Sequence, residues 1–409
     1  MFKSITTVAV IAFVLTLTSC HNKKNLSLNP IDSSPVVAYK TLSEKGDTLL
    51  VANLDLMTDT VDFPMSLLFS EFELVKLEDK EEALVGKEAL TFVSPSYIGV
   101  YSFFTGYKLF NKQGEFLTNI SKRGQGPDEY PTGVGESFID EDSNCVYLTY
   151  PAATKILAFD FHGSPANHIQ LAYGNIKKTT SFFDKDQQHL YVLNLAFNED
   201  EPIVWKQDLQ GNLLQQLSAG HLAAIPNFSN SLDTHLNTTA IDFAIGYYYA
   251  DRVDTLYHYD ENSNHLIPVF TTNLDCLSNF HQYIELPDYY CIFVNAYLGS
   301  DGWRGYALID KHTLKGSYVR FKLDMLGDID IPLGNMIDHG YYKTCIHPYV
   351  LQEQWMKKGE ISGLPDGIAR FVKYLQTHDV EEMNNVVLIG KLKQSKDEEF
   401  VLHDMYFNN

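Results

Sequence analysis

The stretch Tyr107–Leu117, YKLFNKQGEFL, contains a hairpin pattern that recurs along the chain. An apolar alternation ends at Asn111, and Gly114 follows after two further residues. Alternation places side chains of one kind on one face of a strand. An Asn side chain can bond the backbone two residues on, and glycine adopts a positive φ at little cost. The stretch therefore predicts two β-strands joined by a tight turn.

The same pattern returns at nearly constant spacing. Copies lie at Ile156–Gly163 and Ile203–Leu214, and looser copies lie at Leu256–Ser263 and Tyr306–Thr313. The Asx residues of the five copies are Asn111, Asp160, Asp208, Asp260 and Asp310, and the intervals between them are 49, 48, 52 and 50 residues. About four strands fit into a period of roughly 50 residues, which is the size of a propeller blade.

Five marked units and a terminal one predict an all-β fold, a six-bladed β-propeller over residues 61–409. Closing such a ring requires strands from both ends of the chain. Phe72–Glu78 is the expected N-terminal contributor. The last unit differs, because Tyr349–Lys358 and Asp366–Gln376 have helical spacing. The spacing puts Val350, Leu351 and Trp355 on one face of the first helix, and Ile368, Phe371, Val372 and Leu375 on one face of the second. They predict a short helical insertion in the last blade, at about residues 349–383.

The N-terminus has the features of an export signal. Lys3 precedes an apolar run from Val8 to Leu17, and Leu17–Cys20 resembles the lipobox of bacterial lipoproteins. We predict that residues 1–19 are a lipoprotein signal peptide, that Cys20 carries lipid and that residues 20–60 form a tether. The alternative is an ordinary signal peptide or an anchor helix. The expected location is the cell envelope, lipid-anchored in the outer membrane, with its periplasmic or surface face left open.

Charge and cysteine content limit the partners. The chain has 31 Lys and Arg against 52 Asp and Glu, a formal net charge of −21. Nucleic acid is excluded as a partner, because binding it depends on neutralising phosphates with basic side chains. The other four cysteines are Cys145, Cys276, Cys291 and Cys345, which predict buried thiols, with a disulfide as the alternative. Their spacing indicates no zinc site, and no metal or cofactor is predicted.

The loop Ser121–Tyr130, SKRGQGPDEY, is the candidate binding segment. Two glycines allow the backbone to bend, and Pro127 then restricts it. The site residues proposed from sequence are Arg123, Gly124, Gly126, Pro127, Glu129 and Tyr130. A phosphate loop is excluded, since no Gly-Lys-Ser/Thr follows. The alternatives are a channel-mouth site and a structural loop fixed by a buried Arg123–Glu129 ion pair.

Two other chemistries are not supported by the sequence. His339, Cys345 and His347 lie close together along the chain, but they lack further ligands at metal-binding spacing. Neither a Gly-x-Ser-x-Gly elbow nor a His-Glu-x-x-His motif is present. Catalytic residues are therefore unassigned.

Four segments together resemble a known family. Leu74–Glu78, Leu109–Phe116, Arg123–Tyr130 and Asn384–Lys393 are similar to the six-bladed β-propeller lipoproteins of Bacteroides and its relatives, which are distantly similar to the TolB propeller. The resemblance covers essentially all of the chain after the signal, and departs from the family pattern at Asp128, where Gly is usual. It implies a fold and an envelope location far more than an activity.

The sequence is compatible with two functions. The leading one is a non-enzymatic binding module that recognises a glycan, a peptide or an envelope protein through the channel mouth and loops. The alternative is a metal- or carboxylate-dependent hydrolase, lactonase or lyase with its site in the central channel.

Overall fold

The computed structural model describes residues 29–174, 178–184, 187–248, 250–277, 279–296, 305–330, 336–358, 363–396, 398–403 and 405. The predicted signal peptide, Cys20 and the start of the tether lie outside the described residues. Within these ranges, no helix has both the length and the apolar character needed to cross a membrane.

Strands dominate the described chain. The first ten are β1 (Ala38–Leu42), β2 (Thr48–Ala52), β3 (Thr60–Pro64), β4 (Phe69–Lys76), β5 (Ala89–Val93), β6 (Tyr97–Ser102), β7 (Gly106–Asn111), β8 (Phe116–Ile120), β9 (Glu136–Asp140) and β10 (Cys145–Thr149). The next ten are β11 (Lys155–Asp160), β12 (Ile169–Gln170), β13 (Thr179–Asp184), β14 (His189–Asn194), β15 (Pro202–Asp208), β16 (Leu213–Ser218), β17 (Ser231–Asp233), β18 (Ile241–Gly246), β19 (Leu256–Asp260) and β20 (His265–Thr272).

The remaining strands are β21 (Asn279–Glu285), β22 (Tyr289–Ala296), β23 (Gly305–Asp310), β24 (Gly316–Leu323), β25 (Ile329–Asp330), β26 (Ile337–Asp338), β27 (Tyr341–Ile346), β28 (Val386–Leu392) and β29 (Val401–Leu402). The two α-helices of the described chain are α1 (Pro348–Lys358) and α2 (Asp366–Thr377). Short 3₁₀ helices occupy Pro30–Ser33, Leu54–Leu56, Met65–Leu67, Glu81–Ala83, Gly220–Leu222, Asp324–Leu326 and Val380–Glu382.

These strands form a β-propeller arrangement. Four sheets are each built on four consecutive antiparallel strands: β9–β12, β13–β16, β17–β20 and β21–β24. The third of these gains β2 and β1 at its edge, and the fourth gains β3 and β25. First strands of neighbouring sheets contact each other, as β5 does with β9 and β9 does with β13. The prediction of an all-β propeller with two short helices is confirmed.

The expected count of six separate blades is not what the sheets show. Beside the four separate blades lies one nine-stranded sheet that contains β4, β5–β8 and β26–β29. Its two parts meet at a single residue pair, Cys345 opposite Ala89. Edge strands carry unpaired N–H and C=O groups that pair with any strand that comes close enough, and spacing along the chain cannot reveal such a junction.

β4, in the N-terminal part of the chain, pairs with β28, near the C-terminus. β28 lies between β27 and β4, and its Leu388 is opposite Leu74. Phe72 and Leu74, both fully buried, belong to the segment predicted as the N-terminal contributor. That part of the prediction is confirmed, because β4 supplies the partner that the C-terminal strand needs.

The described part of the predicted tether is instead part of the fold. β2 runs parallel to β20, and β3 runs parallel to β24. Leu50 and Ala52 are buried, and the backbone N–H of Val37 donates to the carbonyl of Leu314. The tether prediction is therefore wrong for residues 29–60. Their polar composition obscured short strands whose apolar residues add to existing sheet edges.

The Asx turns form as their side-chain chemistry predicts. The Asp160 carboxylate accepts backbone N–H groups from His162 at 2.9 Å and Ser164 at 2.8 Å. Gly114 has φ +82°, and a Cβ there would lie 2.2 Å from the Lys76 carbonyl oxygen. Only glycine fits this turn, because it meets both the backbone conformation and the close approach of β4.

Both α-helices pack on the propeller, and the side chains expected on their inner faces are buried except for Val350 and Val372. Leu351 and Trp355 of α1, and Ile368, Phe371 and Leu375 of α2, are buried in one core cluster. The Trp355 indole N–H donates to the Leu326 carbonyl at 2.8 Å. The helices therefore belong to the propeller core and do not form a separate domain.

Candidate ligand-binding cavities

The predicted loop Ser121–Tyr130 is held mainly by its own groups. Glu129 accepts the backbone N–H of Gly126 at 2.9 Å and pairs with Lys122 at 3.1 Å. A Cβ on Gly124 would lie 1.8 Å from a Glu129 carboxylate oxygen, so the side chain can fold back only over glycine. These bonds lower the pKa of Glu129, with the Gly126 N–H contributing most and Lys122 next.

The expected buried Arg123–Glu129 ion pair is absent from this loop. The Arg123 guanidinium instead lies 4.3 Å from the centre of the Phe103 ring. The pair that does form, between Lys122 and Glu129, is largely exposed on the lysine side. The correction has a simple cause. A tight bend brings Glu129 over the backbone of its own loop, while Arg123 finds an aromatic face beside it.

The end of the loop is anchored to its neighbours. Tyr130 is buried, with its ring 5.8 Å from that of Tyr101. Asp128 pairs with His168 at 2.8 Å, and Lys155 donates to the Pro127 carbonyl at 2.5 Å. None of the six residues proposed from sequence lines the two cavities described next.

A polar cavity of about 400 Å³ lies where the first strands of the sheets converge. Its walls come from β5, β9, β13, β17 and the β26–β27 hairpin, which lie in distant parts of the sequence. The polar residues among its lining are Thr91, Glu136, Thr180, Asp233, Thr234, His235, Asp338, Lys343 and Thr344. Its position is that of the central channel of a propeller.

A second cavity, of about 280 Å³, adjoins the first through Glu136, which lines both. Its wall is aromatic. The Phe138 ring lies 6.2 Å from that of Tyr147 and 5.9 Å from that of Phe183. Ile156, Ile169 and Leu190 extend the apolar surface, and His339 lies at its polar side. We call the first space the polar cavity and the second the aromatic cavity.

Glu136 is the electrostatic centre of the two cavities. Burial raises the pKa of its carboxyl to about 7. The backbone N–H of Ser181 at 2.9 Å, the Thr180 hydroxyl and the His339 ring oppose that rise, while Asp338 adds to it. A carboxyl with a pKa of about 7 exchanges a proton near neutral pH, so it can act as donor or acceptor.

The opposite wall carries an ion pair. Lys343 pairs with Asp338, and His339 lies 3.7 Å from the same carboxyl group. Burial raises the pKa of Asp338, but the Lys343 ammonium and the His339 ring together outweigh burial and hold the pKa below its ordinary value. Asp338 therefore remains charged, and its ion-pair partner is Lys343.

Asp233 supplies the third carboxyl group. It accepts from the Gln282 side chain at 2.8 Å and from the Ser231 hydroxyl at 3.0 Å, and burial raises its pKa. Among the described residues, none of these three carboxyl groups belongs to a set of three side chains close enough to share a metal ion. The three carboxyl groups of the polar cavity can accept hydrogen bonds and attract positive charge.

Sequence reasoning assigned none of these residues to a site, and of them it considered only His339, as a metal ligand. Glu136 stands six positions after Tyr130, but no local pattern marks it. Asp233, Asp338 and Lys343 lie about 100 to 200 residues away from it along the chain. Only ring closure brings them to the same cavity.

Fold and cavities together define a β-propeller with an internal space of ligand size. The chain belongs to the family described as Domain of unknown function (DUF4934), whose model matches residues 51–391.

A solved structure from Bacteroides fragilis shows the same fold. This protein, described as a "putative exported protein", has 14% identity and a TM-score of 0.55, over 84% of this chain and 99% of that one. A DUF4221 family member from Bacteroides vulgatus has 11% identity and a TM-score of 0.36, over 61% and 83%. Curated proteins give no match to this chain.

Proposed function

We propose that this protein is a binding module of the cell envelope, which holds a short peptide segment in the joined polar and aromatic cavities. The observation that carries the proposal is Glu136, which lines both spaces at once. A ligand that fills both would place an apolar group against aromatic rings and hydrogen-bond donors against carboxyl groups.

The cavity chemistry favours a peptide over a glycan. The aromatic cavity combines rings with aliphatic Ile156, Ile169 and Leu190, which suits an apolar side chain. The polar cavity has three carboxyl groups against one lysine, which suits peptide N–H groups or an ammonium. A sugar ring could stack on the aromatic residues, but its hydroxyls would lose water against the aliphatic wall.

Synthetic tripeptides with a free N-terminus test the proposal. We expect peptides with Leu or Phe at the first position to bind more tightly than the Gly peptide in calorimetry. Ala240→Trp should fill the aromatic cavity and weaken that binding at least about tenfold, or 1.4 kcal/mol. Leu117→Trp, on the exposed side of β8, is the matched control. Equal binding of all three peptides, or binding that Ala240→Trp leaves intact, would contradict the proposal.

One observation favours a carboxylate-dependent enzyme as a second candidate. The pKa of Glu136, about 7, suits a general acid or base at neutral pH. An enzyme would convert a bound peptide to products, and Glu136→Gln would abolish conversion while keeping binding. If mass spectrometry shows bound peptides unchanged after long incubation, the binding-module proposal stands.

We further propose that the nine-stranded sheet supplies two blade positions, so that the ring has six. β5–β8 would form one, and β26–β28 with β4 would form the other. The single residue pair between Cys345 and Ala89 supports this division, as does the near-50-residue spacing of the Asx turns. A crystal structure with β27 and β5 paired along their whole length would contradict it.

The envelope location also remains a proposal. It rests on the Leu17–Cys20 motif, and the Bacteroides fragilis neighbour described as exported is in keeping with it. We propose lipid on Cys20, an outer-membrane anchor and no nucleic-acid partner. Cys20→Ala should move the protein from the membrane fraction to the soluble fraction, and unchanged fractionation would argue against the anchor.

We keep the loop residues Arg123–Tyr130 as a proposed outer contact site for a partner protein. Arg123 lies on Phe103, next to Phe104, whose side chain is 90% exposed. An exposed aromatic residue beside an arginine is typical of contact surfaces. The double substitution Arg123→Ala and Phe104→Ser should abolish capture of an envelope partner but leave tripeptide binding unchanged. If tripeptide binding is lost as well, the loop belongs to the cavity site instead.

A further inference from the structure

Three possible metal ligands meet at a junction outside the two cavities. Asp254 precedes β19, Cys276 lies in the turn after β20, and His281 belongs to β21. Their ligand atoms all lie within 4.8 Å of one another, and all three residues are buried. His281 Nε2 is 2.9 Å from the Asp254 carboxylate. Three different segments therefore direct an oxygen, a nitrogen and a sulfur to one point.

The surrounding groups orient these ligands as a metal site requires. The Thr271 hydroxyl donates to the Asp254 carbonyl at 2.7 Å, and the Tyr283 hydroxyl donates to its carboxylate at 2.7 Å. The other ring nitrogen of His281, Nδ1, lies 3.3 Å from the Asn279 carbonyl. Metal-bound histidines usually donate their second N–H to such a carbonyl, which fixes the ring and the tautomer.

We propose that Asp254, Cys276 and His281 bind one Zn²⁺ ion. Carboxylate, thiolate and imidazole are all zinc ligands, and a thiolate disfavours Mg²⁺ and Ca²⁺. Zinc bonds of about 2.0–2.3 Å in a tetrahedron place neighbouring ligand atoms about 3.3–3.8 Å apart. The Asp254 and His281 ligand atoms are 2.9 Å apart, and the other ligand atoms lie within 4.8 Å of one another, which is close to this spacing.

Charge also favours the ion. Binding releases the Cys276 thiol proton to solvent, and the resulting thiolate and the Asp254 carboxylate together balance the two positive charges. The buried site is then neutral. A direct Asp254–His281 ion pair would also be neutral, and the metal content of the protein distinguishes the two arrangements.

The fourth zinc position is left for water. Asp254 also lines a cavity of about 130 Å³ beside Arg252 and Tyr247, which provides an approach for the ion and space for the water. The zinc would connect the β17–β20 blade to β21 of the next sheet. Its expected effect is therefore to stabilise the folded protein, because it binds the assembled junction.

The test is metal content. The purified protein is stripped with a chelator, loaded with ZnCl₂, desalted and analysed by mass spectrometry of the metal. We expect about one zinc per chain, and less than a tenth of that in Cys276→Ser and His281→Gln. Cys291→Ser is the matched control, since Cys291 is buried on β22 outside the cluster, and it should keep the zinc.

A second measurement uses the unsubstituted protein, so it does not depend on how the variants fold. Loading with Co²⁺ should give a thiolate-to-cobalt charge-transfer band and the visible spectrum of a tetrahedral site. Zinc should also protect Cys276 from alkylation. Absence of both signals, or zinc retained in Cys276→Ser and His281→Gln, would overturn the proposal.

Discussion

Single glycines control the turns on which the repeat depends. At Gly114 a side chain would need φ +82° and would strike the Lys76 carbonyl, whereas at Gly46, with φ +91°, a Cβ would meet nothing within 4 Å. Both positions have a positive φ, but only at Gly114 would a side chain also overlap another segment, so a comparison of the two separates backbone strain from steric overlap. They show that the repeat's glycine serves contact between neighbouring segments as well as the turn itself.

We therefore expect Gly114→Ala to destabilise the protein more than Gly46→Ala. Both substitutions place alanine at positive φ, which costs about 1–3 kcal/mol, but only the first adds a clash with β4. Urea unfolding of the two variants measures the difference. Equal midpoints would mean that the Lys76 carbonyl moves aside freely.

Glu136 makes the stability of the protein depend on pH. Its folded pKa of about 7 lies above the ordinary 4.5, so the folded state holds a proton that the unfolded state has lost between these values. Its contribution to stability is complete below about pH 4.5 and is lost as pH rises through 7. Asp338 and His339 act on its pKa directly, and Asp233, His235 and Lys343 line the same cavity.

We therefore predict that substituting Glu136 changes how steeply the unfolding free energy depends on pH. Unfolding free energy of the unsubstituted protein should fall between pH 4.5 and 7, and Glu136→Gln should flatten that fall. Glu199→Gln, at an exposed position, is the control. If the pH profiles of Glu136→Gln and the unsubstituted protein are parallel, water in the cavity solvates the Glu136 carboxyl and burial does not raise its pKa.

At the level of secondary-structure elements, the two α-helices show how much apolar spacing in the sequence predicts about a helix. Their apolar spacing is enough to locate both helices along the chain, and it marks Trp355 and Phe371 as inward-facing. The same spacing predicts Val350 on the buried face, but that side chain is 38% exposed. Leu351, the next residue, is fully buried, so the edge of the buried face falls between these two residues.

Phe371→Ala should destabilise the protein by about 3–5 kcal/mol, because the ring is fully buried in the core cluster. Met356→Ala, at a side chain that is 73% exposed, should change stability by less than about 0.5 kcal/mol. The measurement is thermal or urea unfolding of both variants, provided that each unfolds in a single transition. A small effect at Phe371 would show that α2 frays independently of the propeller.

At the scale of the whole molecule, β28 near the C-terminus pairs with β4 from the N-terminal part of the chain. β28 lies between β27 and β4, so it satisfies the backbone groups of both neighbours. Removing residues 384–409 should abolish cooperative unfolding and leave an aggregation-prone chain, since two strand edges and their apolar faces would be exposed. Circular dichroism and gel filtration report the outcome.

Removal of residues 397–409 alone is the matched truncation. It takes away β29, a two-residue strand parallel to β4, together with Phe400 and Met405 of one core cluster, and it keeps β28. That variant should remain folded and cooperative. If both truncations behave alike, closure by β28 is not what stabilises the ring.

The sequence by itself determined the strand-and-turn repeat, the two helices and the N-terminal strand that meets the C-terminus. These features depend on local periodicity and on the turn chemistry of Asx and glycine, which act within a few residues. Tertiary structure alone decided the joining of two sheets through Cys345 and Ala89, the partner of Glu129, and the cavities around Glu136. It also decided the meeting of Asp254, Cys276 and His281. Each of these depends on which distant segments ring closure brings together, and no single segment carries that information.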